Sequence, residues 1–297
     1  MKLPNFVVVG AAKSGTTSLY HYLRQHPQVY LPERKELQYF TFDCERKNAH
    51  GPGDADVLRH FCATREEYEA HYADTDAPAV GEVSPSYFFY DEVASQRMRE
   101  ELGDVRIIIL LRDPVEKAFS QYMHLVRDNR ETLDFHAALE AEAERARRGY
   151  AALWRYMESS FYADRLESYL GTFGPDRVRV EFFQDFVENP DRVVRRLFEF
   201  LDIDPDFHPQ VSRVYNRSGR PRSKLLATFI ARSNVVNVVA RRALPRSVTE
   251  QVKTLFLKAN TGAKDEIPEA ARLRLRSCIL EDMERVKRIL GRDPGWL

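Results

Sequence analysis

Phe6-Val7-Val8-Val9 is an unbroken apolar run that stops at Gly10. Such a run suits a strand covered on both faces, as in a parallel sheet. From Thr17 to Leu23 the pattern changes to helical spacing, with Leu19, Tyr22 and Leu23 sharing one face, and His26-Pro27 ends the element. The strongest strand signal is Val105–Leu111. Asp113-Pro114 then supplies an N-cap and a first-turn proline for a helix reaching about Arg127. Ala79–Val83 predicts a strand ending before Ser84-Pro85. Asp176–Phe183 predicts another, with Arg177 and Arg179 alternating against Val178 and Val180. Further helices are expected over 64–72 (Thr64 as N-cap, Glu67 completing a capping box), 92–102, 133–148 and 159–173, and from Asn189-Pro190 through Leu201. The polar stretch Asp43–Asp56 reads as a long surface loop. Leu275, Ile279, Met283, Val286 and Leu290 line one face of a last helix. The alternation predicts an α/β fold: a P-loop-like central parallel sheet flanked by helices, with extra C-terminal helices. Without repeats or a clean linker, residues 1–297 read as a single domain.

Composition narrows the function without naming it. A chain of 297 residues, 43% hydrophobic, can bury a sizeable core. Lys plus Arg equals Asp plus Glu, 45 each, so the broad basic field of a nucleic-acid binder is absent. Cys44, Cys62 and Cys278 are widely spaced and form no metal-ligand pattern, which predicts reduced thiols and no metal site. No run is long and apolar enough for a signal core or a membrane span, so a cytoplasmic setting is expected.

The chemistry begins at Gly10-Ala11-Ala12-Lys13-Ser14-Gly15-Thr16-Thr17, between the first strand and the first helix. Backbone N–H groups and a helix N-terminus there bind phosphate-like anions. Two glycines allow close approach, Thr16 and Thr17 add hydroxyls, and Lys13 adds a charge. The triphosphatase pattern G-x-x-x-x-G-K-S/T places lysine after the second glycine. Here Thr16 follows Gly15 and the lysine comes earlier, which disfavours a metal-dependent triphosphatase. The plain alternative is a tight glycine turn.

Lys13-Ser14-Gly15-Thr16-Thr17 after an apolar strand resembles the 5′-phosphosulfate loop of sulfotransferases, which use 3′-phosphoadenosine 5′-phosphosulfate (PAPS). Arg106–Tyr122, with its strand, Arg112-Asp113-Pro114 and Ser120, resembles the same family's 3′-phosphate element. Arg112 stands at the carboxyl end of a strand, where open α/β sheets bind ligands, and Ser120 lies about two helical turns on. Taken singly, Arg112 could form an ion pair with Asp113 or Glu116, and Ser120 could be a plain helix serine. Asn216–Ser223 resembles the basic glycine loop that closes over the nucleotide, which adds Ser218, Gly219 and Arg220; a solvated charged loop is its alternative.

Gly81-Glu82-Val83-Ser84-Pro85-Ser86-Tyr87-Phe88 is similar to the E-K-T-P-x-Y-F stretch of carbohydrate sulfotransferases, the heparan sulfate enzymes included, with Val83 in place of lysine. The resemblance makes Glu82 the general base. Glu33–Phe40 resembles the K-E-x-H-F-F stretch, which places Lys35 near the sulfuryl group, while Gln38 replaces the histidine. His124 and His21 read as surface or core histidines. The implied function is PAPS-dependent sulfuryl transfer to a hydroxyl of a carbohydrate or other small molecule, with Lys13 stabilising the leaving group and no metal. A kinase of related loop architecture and a non-catalytic nucleotide-binding module are the alternatives.

Overall fold

The structure, a computed structural model, describes residues 2–211 and 266–296. Its elements in chain order are β1 (Phe6–Gly10), α1 (Thr16–Leu23), β2 (Val29–Tyr30), α2 (Phe42–Lys47), α3 (Asp54–Leu58), α4 (Arg65–Ala70), β3 (Ala79–Val83) and α5 (Asp91–Leu102). There follow β4 (Arg106–Leu111), α6 (Pro114–Arg127), α7 (Phe135–Glu140), α8 (Glu142–Arg147), α9 (Ala163–Phe173), β5 (Val178–Phe182), α10 (Phe183–Glu188) and α11 (Pro190–Phe200). A long helix over Glu269–Leu290, here α12, comes last among the described residues.

The five strands form one parallel sheet in the order β2-β3-β1-β4-β5. Because successive strand residues face opposite ways, each apolar run feeds two layers. Val7, Val9, Ile107, Ile109 and Leu111 join a core with Met98 of α5, Leu166 and Tyr169 of α9, and Leu275 and Ile279 of α12. Phe6, Val8, Ile108 and Leu110 join the other core with Leu19 and Leu23 of α1 and Val193, Val194 and Leu197 of α11. Two covered faces explain why β1 and β4 carry continuous apolar runs and not alternating ones. The chain leaves β1 in the middle of the sheet, runs to the β2 edge, and later crosses to β4 on the other side. The carboxyl ends of β1 and β4 therefore border the crevice expected where the strand order reverses.

Several local expectations hold in detail. Asp113 caps α6 by accepting the N–H of Val115 at 2.8 Å and of Glu116 at 3.0 Å. Thr64 accepts the Glu67 N–H, while Glu67 reaches back to the Ala63 N–H and not to that of Thr64. Cys44, Cys62 and Cys278 are free. The expected helix over 133–148 is two helices, α7 and α8, and α9 begins at Ala163 after a one-turn 3-10 segment, Glu158–Ser160.

The segment Asp43–Asp56 differs most from its sequence reading. It carries α2 and the start of α3, and Asp54 is buried. The Asp54 carboxylate accepts from the N–H of Gly51 (2.8 Å) and Ala151 (3.1 Å) and from Trp154 Nε1 (3.0 Å), and it pairs with Arg130. Partners almost a hundred residues away hold this polar stretch down, so local composition could not announce it.

Candidate active site

Ala11 continues β1 by donating to the Leu110 carbonyl at 2.8 Å, and the chain then turns sharply through Lys13 (φ 66°) and Gly15 (φ 91°) into α1. A Cβ at Gly15 would sit in a left-handed conformation and 2.9 Å from the Phe183 ring, so only glycine fits there. Gly10 is as closely met: its Cβ would come 2.3 Å from that of Phe88. The turn opens on a cavity of about 560 Å³, lined by Lys13, Gly15, Thr16, Thr17, Arg112 and Ser120 among others. Ser14 is fully buried, and its hydroxyl has no hydrogen-bond partner among the described residues. An orphaned hydroxyl inside an anion-binding turn fits a loop built for a ligand with many acceptor oxygens.

Arg112 ties the two halves of this wall together. Its guanidinium donates to the Lys13 carbonyl at 3.2 Å and to Glu116 at 3.4 Å, and it lies over the Phe183 ring at 4.9 Å. Tyr162 donates to the Arg112 carbonyl at 2.9 Å. Burial pulls the Lys13 ammonium down to about 8, with Arg127 pushing the same way and Asp128 and Glu36 opposing. An anion placed against it reverses that shift.

α6 supplies the longest wall. Lys117, Ser120, Gln121, His124 and Asp128, at successive helical spacings, all line the cavity. His124, read from sequence as a surface or core residue, is thus a site residue, and its place four residues after Ser120 is the signal that could have found it. Arg127 donates to His124 Nδ1 at 2.5 Å, which leaves the ring proton on Nε2, 3.6 Å from Asp128. Burial and the charges of Lys13 and Arg127 push its pKa down to about 2. With Nδ1 occupied and Nε2 protonated, His124 is a neutral hydrogen-bond donor.

Glu82 stands elsewhere. It is 1% exposed and does not line the cavity. Ser84 and Tyr87 donate to one carboxylate oxygen, each at 2.6 Å, and Tyr68 donates to the other at 2.8 Å. Burial raises its pKa, and these hydroxyls hold it back. Glu82 is the next-to-last residue of β3 and pairs with Val7 of β1. Lys35 is also off the cavity wall; it pairs with Glu36, which is on the wall together with Gln38 and Ser86. The structure therefore brings together Lys13, Gly15, Thr16, Thr17, Arg112 and Ser120, buries Ser14 behind them, and separates Glu82 and Lys35 from them. Ser218, Gly219 and Arg220 lie outside the described residues.

Comparison with known proteins decides the family. A sulfotransferase-family model matches residues 4–209. A solved sulfotransferase from Alicyclobacillus acidocaldarius is 32% identical, aligns over 100% of this chain and 99% of its own, and superposes with a TM-score of 0.79. The chain belongs to the sulfotransferase family. Among curated relatives of this sulfotransferase, the membrane-associated sulfotransferase kil1 of Dictyostelium discoideum is 37% identical over 120 residues, 40% of this chain. Carbohydrate sulfotransferase 15 of Mus musculus is 24% identical over 248 residues, 68% of this chain. The chain spans 22% and 44% of the lengths of these two proteins. No helix among its described residues is long and apolar enough to cross a membrane.

Proposed function

We propose that this sulfotransferase-family chain moves the sulfuryl group of PAPS to a hydroxyl of a carbohydrate or other small molecule. The observation that carries the reading is the convergence of Lys13, Thr16, Thr17, Arg112 and Ser120 on one cavity at the carboxyl edge of the sheet. In this reading the loop amides, Thr16, Thr17 and Lys13 hold the 5′-phosphosulfate, and Arg112 with Ser120 holds the 3′-phosphate. The acceptor oxygen attacks sulfur in line, and the S–O bond to the 5′-phosphate breaks. Lys13 meets the charge that develops on the departing oxygen. If this is right, PAP, the desulfated product, raises the melting temperature, by RT ln(1 + [L]/Kd) in free-energy terms. A melting curve unmoved by saturating PAP counts against the whole reading.

The acceptor must also lose a proton. Glu82, the expected base, has three hydroxyls on its carboxylate and no place on the cavity wall. Glu36 lines the cavity and is near enough to Lys13 to raise its pKa. We assign proton removal to Glu36. Glu36→Gln then lowers kcat by about 10²–10⁴-fold with PAP binding retained. Glu82→Gln chiefly lowers the melting temperature. Steady-state kinetics on both variants separates the two: loss of kcat confined to Glu82→Gln returns the proton to Glu82.

A further inference from the structure

The end of the cavity away from the glycine loop has a different character. Its wall includes Val57 and Leu58 of α3, Phe61 just beyond that helix, and Phe89. Val57 is 43% exposed, unusual for a large apolar side chain, and it lines this wall. Polar groups interrupt the apolar surface. Asp54 has its four partners and Arg130 is among them, so their charges offset each other. Lys117 is 1% exposed, donates to the Ser159 carbonyl at 2.7 Å, and is driven well below its ordinary pKa by burial.

Glu45 is the exception. It is 7% exposed and lines the cavity, yet no ion pair joins it among the described residues. Its near partner is the Ser86 hydroxyl, which itself donates to Gln38 at 2.6 Å. The charged groups around it are the carboxylates of Asp54 and Glu36, which add to burial in raising its pKa to about 7. A buried carboxylate facing open space without a counter-charge is costly unless it takes up a proton or a ligand supplies the charge, and at pH 7.5, above its pKa of about 7, a cationic ligand favours the ionised form.

We infer that the acceptor is a partly apolar alcohol or phenol carrying a basic nitrogen, its ammonium group held by Glu45 and its skeleton by Val57, Leu58, Phe61 and Phe89. This rests on the reading of the glycine loop as the PAPS site. The same wall offers a polyanionic glycan little, because Arg130 is paired with Asp54 and the Lys117 ammonium is buried against Ser159.

Three phenols of similar size test the inference: tyramine (cationic), N-acetyltyramine (neutral) and 3-(4-hydroxyphenyl)propanoate (anionic). Their binding to the protein saturated with PAP is measured by calorimetry at pH 7.5. The expected order is cation, then neutral, then anion, with tyramine at least about tenfold tighter than its acetylated form. Glu45→Gln reduces that ratio to near one while PAP still raises the melting temperature. Equal or reversed affinities in the unaltered protein overturn the inference, as does failure of all three to bind, and so does a ratio that survives Glu45→Gln. If the variant does not fold, the order in the unaltered protein decides alone. PAP itself failing to bind would instead sink the PAPS reading, so the two failures are told apart.

Discussion

Lys13→Met lowers kcat by about 10²–10³-fold, the usual cost of removing one preorganised group from a developing anion. The lysine lies in a turn whose backbone conformation and hydrogen bond to Arg112 do not depend on its side chain. The loss should therefore appear in turnover with the fold intact, as judged by a melting temperature without ligand that does not fall, since burying the charged lysine opposes folding. The lowered pKa adds a second signature. A lysine at about 8 is charged below that pH and loses its proton above it. Anion binding needs the charged form and raises the pKa again, so PAP affinity falls as pH rises through 8 toward the ligand-bound pKa. Calorimetry between pH 7 and pH 9.5 should show this decline in the unaltered protein and a flatter profile in Lys13→Met. A steep decline that persists in the variant would assign the titration to another group.

Arg145→Ala costs about 3–5 kcal/mol of stability, because it strands a buried carboxylate. Arg145 grips Glu131 with two bonds, 2.6 and 2.9 Å, while Tyr156 donates to the same carboxylate at 2.7 Å and the Thr132 and Leu133 N–H groups donate at 2.9 and 3.0 Å. Burial alone would raise the Glu131 pKa, and these partners bring it below the ordinary value instead. A carboxyl whose pKa is depressed on folding contributes stability above its unfolded pKa, and that contribution disappears as pH falls below about 4.5 toward the folded value. Arg145 also lies over the Trp154 ring at 4.9 Å, next to the cavity-lining residues Ala151–Leu153. Thermal melts should show a fall on the order of 10 °C for Arg145→Ala at pH 7. A fall of a degree or two would mean that Tyr156 and the backbone amides satisfy Glu131 by themselves.

The parts of this molecule that were legible are those whose causes are local. β1 and β4 are apolar runs with a glycine or Arg-Asp-Pro at their ends, and Asp113 caps α6 through its own neighbours. The glycine-loop side of the cavity follows from these, because the loop and the helix carry its residues. The acceptor side depends on long-range closure. Asp54 holds α3 through Ala151, Trp154 and Arg130, and no window of sequence contains them all. Glu82 stands out in the sequence by its resemblance to the E-K-T-P-x-Y-F stretch, and in the structure its carboxylate is met by the hydroxyls of Tyr68, Ser84 and Tyr87. Its place near the end of β3 was readable; its burial and its absence from the cavity wall were not. β2, two residues long, carries too little pattern to be seen at all.

The stripe Lys117-Ser120-Gln121-His124-Asp128 makes α6 and its cap a measuring stick, about 16 Å from first residue to last, along one wall of the cavity. Side chains on a stick can be exchanged, but its graduations cannot be renumbered. One residue inserted after Ser120 would turn everything beyond it by about 100° and swing Gln121, His124 and Asp128 off the cavity together. Exchanging single groups on this helix would change the lining of the cavity, whereas changing its length between Asp113 and Asp128 would take the wall apart.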